Sequence, residues 1–403
     1  MDVPEKVWKA ISLLNAAGFE AYLVGGFVRD SGMGIPPHDY DLTTSATPSE
    51  MQQVFAAFRT IETGLKHGTL TVLMDEYPLE ITTFRLDGEY LDNRHPKDVT
   101  FTRDLKNDLS RRDFTINAMA WHPEKGLVDL FGGQADCANG ILRCVGDAAT
   151  RFQEDALRIL RALRFAARLR FTIEENTAAA ILEKQSLLHR ISAERIAAEL
   201  NGLLLAEGAE GILRRFSQTV FTVLPELNRP GWPFSLSVLA HAPRELPIRW
   251  AALLHPLGEE TADQVMQRLK VSNALRHSVC TLVRHHALPL SEKNMQYALM
   301  QVGQEIMFPL LSLQEAISAA SARPFDAPSL RSAAQRLIES GACFTVGQLA
   351  VNGSHLSALG LKGPAIGHTL HLLLEQVVKG ESENNKESLL ALAKQAMNKL
   401  PET

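Results

Sequence analysis

The chain has 403 residues, of which 45% are hydrophobic and 22% charged, a size and mix that exclude a disordered, collagen-like or fibrous chain and predict two to four structural units. Its 41 basic and 46 acidic residues leave a formal charge of -5, so it does not coat nucleic acid through bulk positive charge, although a local basic track is compatible with that sum. Cys137, Cys144, Cys280 and Cys343 lie far apart without CxxC spacing, which predicts reduced thiols in the cytoplasm; neither a signal peptide nor an apolar run of transmembrane length is legible, and no membrane partner is expected.

Residues 5–17 carry Val7, Trp8, Ile11 and Leu14 at helical spacing and end at Gly18, which predicts a helix. Residues 21–26 read as a short strand entering a glycine turn, with one helical turn after it. Residues 39–46 read as a second strand, and Pro48 with Ser49 and Glu50 opens another helix. Residues 68–74 and 78–86, joined at Asp75, Glu76 and Tyr77, are rich in β-branched residues and predict a hairpin. A helix is expected over 111–120. This first block is α+β with a small mixed sheet and ends near residues 129–133. Beyond it strands largely disappear: 151–169 and 172–188 each predict a helix, and 192–216 predicts two, split near Gly208. Pro225, Pro230 and Pro233 mark a loop, and a further helix begins near Trp250. Ala- and Leu-rich helices then alternate with glycine turns to the end, without a tandem repeat.

The sharpest local pattern is GGFVRD followed by DYD. Gly25 and Gly26 present backbone N–H groups to phosphate oxygens without an intervening side chain, and Arg29 adds a bidentate contact. Asp39 and Asp41, two apart on a strand, point to one face. Two carboxylates held together repel unless a cation lies between them, which predicts Mg²⁺ shared with phosphate oxygens. Glu80, between Leu79 and Ile81, is either a third carboxylate of that site or a solvent-facing strand residue. In RRDFTINAMA, Arg111 or Arg112 reaches phosphate or ribose and Asp113 fixes an arginine or a sugar hydroxyl, or else Asp113 caps a helix start. In EDALRILRALRF, Asp155, Arg158 and Arg161 fall on one side of a helix, with Arg164 one further step along. Residues 141–171 hold seven arginines against three acids in a chain of negative sum, which points to an anionic partner. A carboxylate acceptor beside a guanidinium donor matches the Watson–Crick edges of C and A and opposes those of U and G, so Asp155 with Arg158 is the pair assigned to base choice. A polymerase-like nucleotidyl transfer uses all these parts together.

LVGGFVRD with DYDL, RRDFTINAMA and EDALRILRALRF closely resemble the metal and triphosphate, ribose and base-templating motifs of the bacterial class II tRNA nucleotidyltransferases, the CCA-adding enzymes of the polymerase β-like superfamily. DLFGG and AERIAAEL are similar to further family segments, and residues 349–390 resemble, more weakly, the tail of Gram-positive-type members. The resemblance implies an α+β nucleotidyltransferase head (1–145), then an all-helical neck with the base-recognition helix (146–208), body (209–322) and tRNA-binding tail (323–403). It implies addition of CCA to the 3′ end of tRNA from CTP and ATP with Mg²⁺. Catalytic carboxylates would be Asp39, Asp41 and Glu80, with metal on Asp39 and Asp41; nucleotide contacts would come from Gly26, Arg29, Arg112, Asp113, Asp155, Arg158, Arg161 and Arg164. The partner would be the acceptor arm and 3′ end of tRNA, and homodimerisation stays open. The loop with Asp92 and Arg94 looks intact, which favours full CCA addition over CC-only or A-only addition. A poly(A) polymerase is the enzymatic alternative, and a non-catalytic RNA-binding protein the more distant one. His285 and His286 lack a following Asp, so they read as surface or packing residues and no phosphohydrolase domain is expected.

Overall fold

The structure, a computed structural model, describes residues 3–37, 39–87 and 99–397, and Asp92 and Arg94 lie outside them. The chain divides into two compact units, Met1–Pro225 and Glu226–Thr403.

The first unit opens with α1 (Glu5–Ala16), β1 (Ala21–Val24), α2 (Gly26–Gly32), β2 (Asp41–Thr44) and α3 (Pro48–Val54). Thr47 and Glu50 form a reciprocal capping box around Pro48, which fixes the start of α3 where the sequence put it. Then come β3 (Arg59–Ile61), β4 (Thr69–Met74) and β5 (Tyr77–Thr83). Met74 pairs with Tyr77, so the hairpin loop is two residues long. Asp75 and Glu76 take positive φ of 50° and 63°, the mirror-image turn that matches strand twist. β6 (Arg85–Asp87) and β7 (Val99–Phe101) make a separate ribbon, followed by α4 (Leu105–Ser110), β8 (Met119–His122), β9 (Gly126–Asp129), α5 (Gly133–Asn139) and β10 (Ile141–Leu142). The main sheet is seven-stranded in the order β3-β4-β5-β2-β1-β8-β9, with β2 and β5 parallel and the other pairs antiparallel. One face packs on Val7, Ile11 and Leu14 of α1 and Met51 of α3, while the other covers Tyr22, Val24 and Phe84 with Leu105 and Leu109. Burial on both faces explains the unbroken apolar run of β1.

The expected helix over 111–120 is not formed. Residues 115–117 make a single 3₁₀ turn, and Met119–His122 is a strand that pairs with both β1 and β9. A strand clamped between two neighbours is apolar on both faces, so its sequence does not alternate and its period misleads.

The helical remainder of this unit is α6 (Ala148–Glu154), α7 (Leu157–Leu169), β11 (Thr172–Ile173), α8 (Glu175–Lys184), α9 (Ala193–Leu204), α10 (Ala209–Arg215) and α11 (Ser217–Val223). Two sequence expectations are corrected here. Residues 151–169 are two helices, because Asp155 is extended (φ -135°, ψ 103°) and caps α6, while its Oδ1 accepts from the N–H of Leu157. Thr172–Ile173 is a short strand parallel to β10. The second unit is helical: α12 (Trp232–His241), α13 (Leu246–Leu254), α14 (Glu259–Arg268), α15 (Asn273–His285), α16 (Met295–Val302), α17 (Gln304–Ala320), α18 (Ala327–Glu339), α19 (Gly353–Ala358), α20 (Pro364–Val378) and α21 (Lys386–Met397). Pro233 and Pro247 sit in the first turns of α12 and α13, where a missing N–H costs nothing; Pro233 therefore opens a helix rather than marking a loop, and the helix expected near Trp250 starts at Leu246. His286 packs edge-on against His255, ring centres 5.2 Å apart. Among the described residues no helix is long and apolar enough to cross a membrane.

Candidate active site

Strand register builds the site. Val24, the last residue of β1, pairs with Asp41 on one side and Ala120 on the other, and Asp41 pairs with Glu80. The Gly25 turn, the first residue of β2 and the turn before β8 therefore meet at one end of the sheet. Gly25 has φ 68° and ψ -129°, a conformation that only glycine adopts readily. A cavity of about 430 Å³ opens there, lined by Gly25, Gly26, Arg29, Asp41, Arg111, Arg112, Asp113, Asn117, Asp155, Leu157, Arg158, Arg161, Phe165 and Arg195. Six arginines against three aspartates give its wall a net positive charge, the field an anionic ligand needs.

The predicted residues are placed unequally. Gly26, Arg29, Asp41, Arg112, Asp113, Asp155, Arg158 and Arg161 all line the cavity. Arg29 is buried; its Nε donates to Asp30 Oδ1 (2.8 Å) and its Nη1 to Asn117 Oδ1 (2.6 Å). Asp41 is exposed, yet the surrounding walls desolvate its carboxyl and push its pKa up; Glu80 and Asp39 add to the rise and Arg112 opposes it. A carboxylate raised by its acidic neighbours is what a divalent cation would relieve. Asp39 and Glu80 are exposed and do not line the cavity. Among the described residues no group of three His, Cys, Asp or Glu side chains forms a metal cage.

Asp113 accepts from the N–H of Phe114 and from Asn117 through Oδ1, and from Arg161 Nε (2.9 Å) and Nη2 (2.6 Å) through Oδ2. Burial pushes this carboxyl up, but Arg161, Asn117 and Arg158 outweigh it and hold it below the usual range. Asp155 is not paired with Arg158: its Oδ2 accepts from Arg195 Nη2 at 3.1 Å. Arg158 Nη1 donates to Glu154 (2.7 Å) and its Nη2 to the carbonyl of Arg111 (3.0 Å). Asp155 precedes α7 instead of sharing its face with Arg158 and Arg161, although all three still border the cavity. Arg164 does not line it; its Nε is bound to Glu199 of α9 at 2.6 Å, and its guanidinium lies over the Phe165 ring.

Three residues of the site carried no assignment in the sequence. Asp108 is fully buried and accepts from Arg111, Arg112 and Thr43. Arginines outweigh the desolvation that pushes its carboxyl up, so its pKa is lowered. Asn117 binds both Arg29 and Asp113, and Arg195 binds Asp155. Asn117 and Arg195 fall within the quoted segments RRDFTINAMA and AERIAAEL, the only signal that could have singled them out. Arg112 Nε and Arg195 Nη1 are buried donors without a partner, as expected of groups that meet an acceptor on a ligand.

Three sequence families match in succession: the poly A polymerase head domain (residues 21–143), an RNA and SrmB-binding site of polymerase A (170–229) and tRNA nucleotidyltransferase domain 2 (247–393). The CCA-adding enzyme of Limosilactobacillus fermentum is 38% identical over 397 residues, spanning 95% of this chain and 94% of that protein. That of Streptococcus suis is 37% identical over 404 residues, spanning 98% of both. The crystal structure of the Bacillus stearothermophilus CCA-adding enzyme in complex with CTP is 32% identical and superposes with a TM-score of 0.83 over 99% of this chain and 98% of that one. Likeness of this extent, end to end in sequence and in fold, makes the chain a member of the class II CCA-adding enzymes of the polymerase β-like nucleotidyltransferase superfamily.

Proposed function

We propose that the arginine-lined cavity is one nucleotide site that takes CTP twice and then ATP, so that the chain adds CCA to the 3′ end of tRNA without a nucleic-acid template and releases pyrophosphate. The observation that carries this reading is the placement of Asp155, Arg158 and Arg195 on the same cavity wall system as Gly25, Arg29 and Asp41, a span that offers base and phosphate contacts to a single nucleotide. A carboxylate has about four acceptor positions and a guanidinium five donors. Asp155, with two contacts, and Arg158, which donates to Glu154 and to the carbonyls of Arg151 and Arg111, therefore both keep capacity for a base edge. On this reading the Asp155 carboxylate accepts from the exocyclic amino group of C or A while an arginine donates to the ring nitrogen. Uracil and guanine would set like groups against both, leaving buried polar atoms unpaired.

Asp39 and Asp41 would hold Mg²⁺, which fits the raised pKa of Asp41 beside Glu80 and Asp39 and would supply charge neutralisation at the attacking and leaving oxygens. The backbone at Gly25 and Gly26 orients the triphosphate, and Arg112 and Arg195 bring their unpaired donors to it or to the ribose and base. The helical segments 146–208, 209–322 and 323–403 serve as neck, body and tail, the last gripping the tRNA acceptor arm. A cytoplasmic location agrees with the four free cysteines. The test is incubation of tRNA lacking its 3′ terminus with CTP alone, ATP alone or both, read at single-nucleotide resolution. Two C residues with CTP alone and one further A with both are expected; a run of A from ATP alone would favour a poly(A) polymerase instead.

A further inference from the structure

Asn117 lines the cavity and is 7% exposed. Its Oδ1 accepts from Arg29 Nη1 at 2.6 Å, and its Nδ2 donates to Asp113 Oδ1 at 3.1 Å. Arg29 is bound in turn to Asp30, and Asp113 to Arg161 of α7. The result is an unbroken chain, Asp30–Arg29–Asn117–Asp113–Arg161, from the helix after the glycine turn to the helix after Asp155. Both of its arginines lie 5.4 Å from the centre of the Phe165 ring. The middle link has to accept from a guanidinium and donate to a carboxylate at once, which an amide does and neither a carboxylate nor an alkyl group can. Reversing the amide would face NH₂ to guanidinium and oxygen to carboxylate, so its partners fix its orientation.

We propose that Asn117 is a positioning residue for nucleotidyl transfer, which locks Arg29, beside the glycine turn, to the Asp113–Arg161 pair on the α7 side of the cavity. The two sides of the nucleotide site are thereby held at a fixed separation, whichever base is bound. This rests on reading the cavity as the nucleotide site. Asn117 acts through Arg29 and Asp113; its loss lets these two relax independently, which weakens nucleotide binding more than the chemical step.

Asn117→Asp tests the donor directly, because it is isosteric and keeps the acceptor for Arg29. When ionised, the introduced carboxylate faces Asp113 and repels it; when the pair shares a proton, the donor returns. The charged groups around this position are Asp30 and Arg29 from α2, Asp113 and Arg112 beside the turn, Arg158 and Arg161 from α7, and Asp136 from α5. The nearby thiols, Cys137 and Cys144, are pushed up by burial to about 11 and about 12 and do not titrate in the range used. We expect the KM of Asn117→Asp for both CTP and ATP to rise about tenfold at pH 8, the equivalent of one charge-assisted hydrogen bond. That loss should recover as the pH is lowered to about 5.5. Asn117→Ala should show a similar loss with a pH profile parallel to wild type, and Asn117→Ser, whose hydroxyl donates and accepts, should lie between. An Asn117→Asp profile parallel to wild type, or equal activity of the Ala and Ser variants, overturns the proposal; should the Asp variant fail to melt cooperatively, the Ala and Ser comparison decides. Failure of the wild type to incorporate C and A would instead overturn the reading of the site.

Discussion

Asp41 and Asp155 border the same cavity with different partners. Asp41 is raised by desolvation and by its acidic neighbours, whereas Asp155 is tied to Arg195 and to the N–H of Leu157. Asp41→Asn should therefore abolish incorporation while changing tRNA affinity by less than about tenfold, because metal ligation acts on the chemical step and RNA grip is spread over many phosphate contacts. Primer extension and gel shift measure the two halves, and retention of more than a few per cent of the wild-type rate would remove Asp41 from the metal site. Short patterns made Gly25, Gly26, Arg29 and Asp41 legible because spacing within ten or so residues already fixes their geometry. Asp108, Asn117 and Arg195 were not legible as site residues, since the contacts that define them include Thr43, Arg29 and Asp155, tens of residues away. The same limit hides the Arg195–Asp155 ion pair, whose partners lie 40 residues apart.

The DLFGG segment shows how one element fixes another. Asp129 accepts from the N–H groups of Phe131, Gly133 and Gln134, and Gly132 is left-handed at φ 77°. A Cβ on Gly133 would stand 2.3 Å from the carbonyl oxygen of Thr115, on the turn that carries Asn117. Backbone cannot yield as a side chain end does, so Gly133→Ala should destabilise the chain by about 1–3 kcal/mol or more and lower nucleotide affinity with it. Thermal melting with KM for CTP is the check; an unchanged melt and KM would show that α5 does not hold the turn. The sequence patterns found α1, α3, α8, α9, α10 and the hairpin of this unit but gave no expectation of α4, α5 or α11, misassigned β8 as helix and ran α6 and α7 together. In both cases a tertiary partner overrode the local pattern: two flanking strands for β8, and the Arg195 contact at the α6–α7 corner.

At the scale of the molecule, the mixed sheet and the helical remainder were both legible, because a change from β-branched alternation to Ala and Leu at helical spacing needs no long-range knowledge. The second unit carries its own acid sensitivity. His255 is buried, and desolvation, with the charge of His286 second, lowers its pKa from 6.5 to about 4. Between those values the unfolded chain binds more protons than the folded one, so stability is lost as the pH falls from 6.5 toward 4. One such group contributes about 3 kcal/mol over the full window. Urea unfolding at several pH values should show this slope in wild type and a shallower one in His255→Leu; equal slopes would assign the acid sensitivity elsewhere.

On the proposed function, one cavity reads both C and A through Asp155. The most direct measurement of this is kcat/KM for CTP, UTP, ATP and GTP on defined tRNA ends, in wild type and in Asp155→Asn. Replacing one acceptor oxygen by NH₂ sets a donor against the exocyclic amino group, so CTP and ATP should each fall on the order of 10²-fold while UTP and GTP fall far less. Both the CTP-to-UTP and the ATP-to-GTP ratios are thus predicted to narrow together. A folded Asp155→Asn protein in which only one ratio moves, or neither does, would contradict a single shared site read by this carboxylate.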